Sequence, residues 1–346
     1  MTLKFGWWDH FEQRSDLPLW QQYDERIELI RHAEALGFYG YHIAEHHFTT
    51  LDMAPSPIVF LAAAARCTSM IRLGTMVLCL PLYHPTRLVQ EICMMDQLSH
   101  GRFMPGVGRG IRDVEHEWFG LDPRQARGSY DETLSIVLQA LCTGRINHHG
   151  ERHRYEDVPV HFEMVQKPYP RIWYAGNLQR AAEQGMNALG RTTREMAEQF
   201  WQIWEAGRAR KDPRFMGDDP LVGSTRHIVV ADSDAEAASL ARRAFLAYAE
   251  HFHATEVRVD DGLPHFGALP RPGGVNADDM IEAGHVLAGS AATIRDRLRR
   301  FVEAVGPKHN YLCAAFQWGD LTTEEARRSL DLFASEVKPA LERGAL

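Results

Sequence analysis

Short apolar runs alternate along the chain with stretches whose apolar residues recur every three or four positions, the pattern of successive βα units around a parallel sheet. Leu3 to Trp8 reads as the first strand, and Trp20, Tyr23, Ile27, Ile30 and Ala33 form a helical stripe that stops at Gly37. Tyr41 to Ala44 is the second strand, Pro57 to Thr68 a helix, and Ile71 to Leu80 a third strand buried on both faces. Pro85 opens a helix ending near Ser99, Arg102 to Gly106 is a short strand running into a glycine-rich turn, and Tyr130 to Cys142 is a helix ended by Gly144.

The polar, His- and Pro-containing stretch 145–170 is a connector with room for a hairpin. Alternation then resumes with a strand at Ile172 to Ala175, a short helix at Leu178 to Gln184 and a strand around Met186 to Leu189. Thr192-x-x-Glu195 reads as a capping box opening a helix to about Lys211. Leu221 to Ala231 is a strand, Ser233-x-x-Glu236 caps the next helix, and residues 254–288, rich in Gly and Pro, read as a long loop. Ile294 to Val305 is a helix and Tyr311 to Phe316 the last buried strand. Thr322-x-x-Glu325 opens a final helix with one stripe of Ala326, Leu330, Phe333, Val337 and Leu341. Seven strands and an eighth at 186–189 predict a single (β/α)8 TIM barrel with insertions, residues 1–346 forming one domain.

Composition narrows the partners. The 346 residues carry 38 basic and 46 acidic side chains, a net charge of −8, with no long basic run. That balance argues against nucleic acid, whose phosphates need clustered Lys and Arg, and favours a small molecule. No apolar run reaches the ~18 residues of a membrane span, and the opening Met1-Thr2-Leu3-Lys4-Phe5-Gly6 lacks the pattern of a signal peptide, so the expected compartment is the cytoplasm. Cys67, Cys79, Cys93, Cys142 and Cys313 are widely spaced, without a Cys-x-x-Cys pair, and read as thiols rather than as a zinc or redox motif.

In a parallel barrel, chemistry collects at the carboxyl ends of the strands. Glu45-His46-His47 follows the second strand, where a glutamate beside histidines suits an orienter and a general base. With His42 the same residues could instead ligate a metal, although strand and turn geometry does not bring His42 and His46 to one face. Solvated loop histidines are the third reading. Gly106-Val107-Gly108-Arg109-Gly110 permits close backbone approach and supplies one arginine, either a phosphate site or a bare turn, and Arg127 adds a second cation. Trp7, Trp8, Phe48 and Trp318, at strand ends, predict an aromatic-lined pocket.

Ala44-Glu45-His46-His47-Phe48, Leu80-Pro81-Leu82-Tyr83-His84-Pro85 and Met95 to Phe103 resemble the bacterial luciferase-like monooxygenase family. The likeness continues through Gly108-Arg109-Gly110, Phe119-Gly120-x-Asp122, Gln166-Lys167-Pro168-x-Pro170 and the last helix. The resemblance implies a (β/α)8 barrel that binds reduced FMN, supplied by a separate NAD(P)H-flavin reductase. It further implies reaction with O2 through a C4a-peroxyflavin to oxygenate a small, modestly apolar substrate such as an aldehyde or ketone. By the same resemblance His46 is catalytic with Glu45 as its orienter, Arg109 and Arg127 hold the flavin phosphate, and Met76-Val77 is a non-prolyl cis peptide under the isoalloxazine. Gly176 and Asn177 occupy a phosphate-binding turn a few residues shorter than the family's, and Gly108 stands where luciferase has a reactive cysteine. A homodimer is implied too. Related barrels use F420 for hydride transfer, which makes an F420-dependent oxidoreductase the alternative on the same fold. A metal-dependent hydrolase and a catalytically silent flavin binder are readings from other classes.

Overall fold

A computed structural model describes residues 2–253 and 276–344. Eleven strands form one curled sheet: β1 (Lys4–Asp9), β2 (Gly40–Ile43), β3 (Arg72–Thr75), β4 (Leu78–Cys79), β5 (Phe103–Met104), β6 (Gly106–Gly108), then, beyond a two-stranded hairpin of β7 (Arg145–His149) and β8 (Arg154–Pro159), β9 (Trp173–Ala175), β10 (Asn187–Leu189), β11 (Val222–Ala231), β12 (Val286–Ser290) and β13 (Tyr311–Ala315). The order is β4-β6-β9-β10-β11-β13-β1-β2-β3-β5, with β12 beside β11, and every pairing in this sheet is parallel. The path ends at β4 and β5, yet β3 leads into β4 across Met76-Val77 and β5 into β6 across Pro105, so the sheet curls until its ends belong to strands already paired within it. Helices cover its outer face, as the apolar stripes require.

Two apolar layers result. Leu29, Ile30, Leu61, Leu88, Ile92 and Val137 fill the space between sheet and helices, while Trp8, Met76, Met104, Trp173 and Tyr311 belong to a separate buried cluster. Large and small residues alternate within the latter: a Cβ on Gly6 would stand 1.9 Å from the Tyr311 hydroxyl, and one on Gly74 would stand 2.4 Å from His42 Nδ1. His42 Nε2 lies 2.9 Å from the Tyr311 hydroxyl, and burial drives its pKa down to about 3, so it stays neutral.

Several boundaries differ from the sequence reading. The third strand is two pieces, Arg72–Thr75 and Leu78–Cys79, with the cis Met76-Val77 peptide between them. The fourth continues to Gly108, so Gly106 and Gly108 are strand rather than turn: Cys79 pairs with Gly108, and Gly106 N–H donates to Thr75 Oγ1 at 2.8 Å. The helix expected from Tyr130 starts at Ala126, fed by a turn in which Asp122 accepts the Arg124 N–H. Thr193, not Thr192, caps the helix Arg194–Ala209, since Thr192 Oγ1 is taken by the Gly223 carbonyl at 3.0 Å.

The long loop is partly structured: residues 276–288 carry the helix Ala277–Glu282 and most of β12, while 254–275 lies outside the described residues. The final stripe holds, with Ala326, Leu330, Phe333, Val337 and Leu341 all buried. Its steps of four, three, four and four residues average slightly more than the 3.6-residue turn, and a π-turn lies at Phe333–Val337.

Candidate active site

The segment after β2 folds back on Asp52, whose Oδ2 accepts the His46 N–H at 3.1 Å and whose Oδ1 accepts the Ala54 N–H at 2.7 Å. This turn buries His46 and aims its Nδ1 at Glu115 Oε1, 3.0 Å away; the same oxygen accepts the His47 N–H at 3.1 Å. Glu115 stands on the short helix Asp113–Trp118, with Arg112 Nε 4.0 Å from it. Burial pushes the Glu115 carboxyl up. The bond and charge of His46, the His47 N–H and the Arg112 guanidinium outweigh burial and hold it below its ordinary value. Glu115 therefore orients His46, which corrects the expectation for Glu45.

Glu45 is buried but turned elsewhere. Its Oε1 lies 2.9 Å from His47 Nε2, and its Oε2 accepts from the Tyr83 hydroxyl at 2.8 Å and the Cys79 N–H at 3.2 Å. It ties the histidine turn to β4, directly past the cis peptide. His42, within β2, points into the packed interior at Tyr311 and shares no ligand geometry with His46. Among the described residues no group of three or more His, Cys, Asp or Glu is placed to hold a metal.

Met76 and Val77 flank the expected cis peptide, and the Met76 N–H donates to the Ile43 carbonyl at 2.7 Å. Gly108 faces Val77 so closely that a Cβ there would stand 2.4 Å from Val77 Cγ2, which leaves no room for a cysteine. Arg109 follows β6, half-buried, its carbonyl within 2.9 Å of His116 Nε2.

A second cluster forms where β9 ends. The guanidiniums of Arg127 and Arg180 lie 5.8 and 5.4 Å from the Tyr130 ring. Asn177 caps the helix Leu178–Glu183 by accepting the Arg180 N–H at 2.9 Å, and Gly176, at φ 107°, has nothing within 4 Å of where a Cβ would be. Arg180 is paired with Asp131, so Arg127 and the open turn at Gly176 are what this cluster offers a phosphate-bearing group.

The aromatic quartet divides. Adjacent strand residues point to opposite faces. Trp8 therefore joins the interior cluster, 4.4 Å from the His10 ring, whereas Trp7 faces the helices, 5.0 Å from Tyr41. Trp7 thus packs the outer layer and does not line the interior. Trp318 is buried against His227, centroids 4.8 Å apart. Phe48, at φ 52°, is 77% exposed beside Trp118 and Phe119. Sequence reading missed Glu115, Arg112, Arg180, His10, His227 and Tyr248. Only Arg112 and Glu115 carry a local signal, an i, i+3 pair of opposite charge.

The chain has relatives among known proteins. An uncharacterised protein of Sinorhizobium fredii, y4wF, is 32% identical over 97% of the chain and 96% of its own length. The oxygenase component of flavin-dependent trigonelline monooxygenase from Acinetobacter baylyi is 28% identical, covering 98% and 95%.

Among solved structures, the monooxygenase RslO1 of Streptomyces bottropensis superposes with a TM-score of 0.81 at 22% identity, covering 97% and 99%. The oxygenating constituent of 3,6-diketocamphane monooxygenase from Pseudomonas putida, in complex with FMN, superposes at 0.74 and 19%, covering 98% and 99%. An F420-dependent secondary alcohol dehydrogenase superposes at 0.71 and 18%, covering 99% and 99%. The model of the luciferase-like monooxygenases matches residues 3–308, and the chain belongs to that family.

Proposed function

We propose that this chain is the oxygenase of a two-component flavin-dependent monooxygenase that uses reduced FMN and O2 to oxygenate a small, modestly apolar aldehyde or ketone. The observation that carries the reading is His46, buried at the end of β2 and held through Nδ1 by Glu115, on the loop that Glu45 ties to the strand just past the Met76-Val77 cis peptide. With Nδ1 engaged, Nε2 is the ring atom left to give or take a proton. Arg109, Arg127, Gly176 and Asn177 would hold the FMN phosphate, and Met76 and Val77 would pack against the ring system. Bound reduced flavin supplies two electrons to O2, one oxygen atom going to substrate and the other to water. Trp8 and Trp318 keep the interior dry, which suppresses wasteful loss of oxygen as peroxide.

In this reading β3 with β4, and β5 with β6, each count as one strand and β12 stands outside the ring beside β11, giving eight among the described residues around a closed (β/α)8 barrel that acts as one domain over residues 1–346. The chain works as a cytoplasmic homodimer fed by a separate NAD(P)H-flavin reductase; a relative named as an oxygenase component supports that division of labour. No helix among the described residues is long and apolar enough to cross a membrane.

The second reading, F420-dependent hydride transfer, is favoured by the fold shared with the F420-dependent alcohol dehydrogenase. The test is anaerobic titration with reduced FMN and, separately, reduced F420, followed by mixing with air-saturated buffer and an aldehyde or ketone. Tight binding of reduced FMN with oxygen uptake matched to product, and loss of that coupling in His46→Ala, is the expected result. Binding of F420 alone with no oxygen uptake overturns the reading, and full coupling in His46→Ala overturns the role of His46.

A further inference from the structure

β13 pairs with β11 along Gly223 to His227 and fills one edge of that strand, so β10 and β12 share the other: β10 pairs as far as Gly223, and β12 takes over at His227. Arg226 lies in the gap between them, and strand alternation sends it to the outer face with Ile228 and Val230. Arg191 leaves the end of β10 at the same gap. It stands between Gly190, whose N–H donates to the Gly223 carbonyl at 3.1 Å, and Thr192, whose hydroxyl donates to that carbonyl at 3.0 Å. His285 enters β12 from the other side, its carbonyl accepting the His227 N–H at 3.4 Å. One step before the His227–Val286 pair, it is the lateral neighbour of Arg226, about 5 Å away across parallel strands.

Three cationic side chains thus meet where the sheet changes partner. Arg191 and His285 are exposed and Arg226 is half-buried, so solvent reaches all three. The Arg226 guanidinium lies 4.5 Å from the Phe301 ring and gives one hydrogen bond, from Nη1 to the neighbouring Thr225 carbonyl at 2.7 Å. Burial, then Arg191, brings Arg226 down to about 10; burial, then Arg226 and Arg191, lowers the His285 imidazole. Among the described residues no carboxylate pairs with Arg191 or Arg226, in a chain with 46 acidic side chains against 38 basic. Arg26 faces Asp9 and Arg112 faces Glu115, while Arg102, without a carboxylate, gives five hydrogen bonds to oxygens around it. Arg226 has neither, although a guanidinium carries five N–H donors and a charge drawn out of water is costly without a counter-ion. An oxyanion in the gap would supply the missing charge and acceptors. Donors arriving from three chain segments suit a tetrahedral group better than a planar carboxylate, which one guanidinium fork satisfies.

We propose that Arg191 and Arg226, flanked by His285, form a phosphate-binding site at the seam between β10 and β12, on different residues from the cradle of Arg127 and Gly176. The inference is independent of the flavin reading.

The test is thermal unfolding of the full chain in about 20 mM sodium phosphate against sodium chloride of equal ionic strength, which separates binding from screening. Wild type should melt about 2–4 °C higher in phosphate. In Arg127→Gln, which silences the flavin cradle, a rise should persist. It should vanish when Arg226→Met is added, whose apolar chain keeps its contact with Phe301, and fall by at least half when Arg191→Gln is added instead. Arg191→Gln is an exposed substitution and carries the test alone should Arg226→Met not fold. No rise in wild type, loss of the rise in Arg127→Gln, an undiminished rise in Arg191→Gln, or an equal rise in sodium acetate overturns the proposal. Phenyl phosphate at the same concentration identifies the source: a larger rise than with inorganic phosphate marks a phosphate ester as the ligand and a smaller one free phosphate, and dependence on Arg191 is required of both.

Discussion

Replacing Glu115 by alanine removes one buried oxygen that accepts from both His46 Nδ1 and the His47 N–H, at 3.0 and 3.1 Å, and strips Arg112 of a carboxylate 4.0 Å away. Hydrogen bonds to a charged group contribute about 1.5–3 kcal/mol each, but these two share one acceptor, and removing the charge also relieves its burial. A net loss of about 2–4 kcal/mol at pH 7 follows. Because the folded carboxyl titrates below its ordinary value of 4.5, its contribution is fully present above that pH and is lost as pH falls through the folded value. The assay is urea unfolding of wild type and Glu115→Ala at pH 7, 5, 4 and 3. The gap should hold from pH 7 to 5 and narrow below about 4.5. A gap under about 0.5 kcal/mol at pH 7, or one independent of pH, would refute the assignment of Glu115 as the charged partner that orients His46.

Gly108→Val should lower the melting temperature, by the equivalent of about 1–3 kcal/mol, because its Cβ would stand 2.4 Å from Val77 Cγ2; calorimetry that finds no loss would show that Val77 can move. Phe48→Ser should change stability by less than about 0.5 kcal/mol, since the ring is 77% exposed; a larger effect in the same scan would mean the ring is packed in solution. His42, His227 and His309 titrate near 3 when folded, through burial, so each adds about 1.4 kcal/mol of lost stability per pH unit as pH falls from about 6.5. His309→Asn should make the slope between pH 6 and 4 shallower by that amount, and an unchanged slope in urea unfolding would rule out a neutral His309. Glu12, raised to about 8, works in the opposite sense: wild type should lose stability relative to Glu12→Gln between about pH 4.5 and 8, and constant relative stability over that range would count against a buried, protonated acid.

Local signals set out most of the fold. The strands at β1, β2, β9, β10, β11 and β13 announce themselves as short apolar runs, and the Ser233 and Thr322 caps are read from their side chains, because strand alternation and helix capping are decided within a few residues. The Glu45-His46-His47 turn and the cis peptide at Met76-Val77 were legible by resemblance. What tertiary structure decided is which groups meet. Glu115 lies sixty-nine residues from His46, and its i, i+3 spacing from Arg112 is an ordinary ion-pair signal that does not point to His46; the turn onto Asp52 and the short helix after β6 bring it there. The face that Trp7 takes, opposite to Trp8, depends on strand register, since a one-residue shift exchanges inside for outside. β12 was hidden by the Gly and Pro residues before it, because a five-residue strand gains its stability from the pairing with β11 rather than from its own sequence. Tyr248 comes beside His10 and Trp318 because the helix Asp234–His253 packs on β11 and β12; charge and burial at that junction belong to the assembled fold, not to either segment.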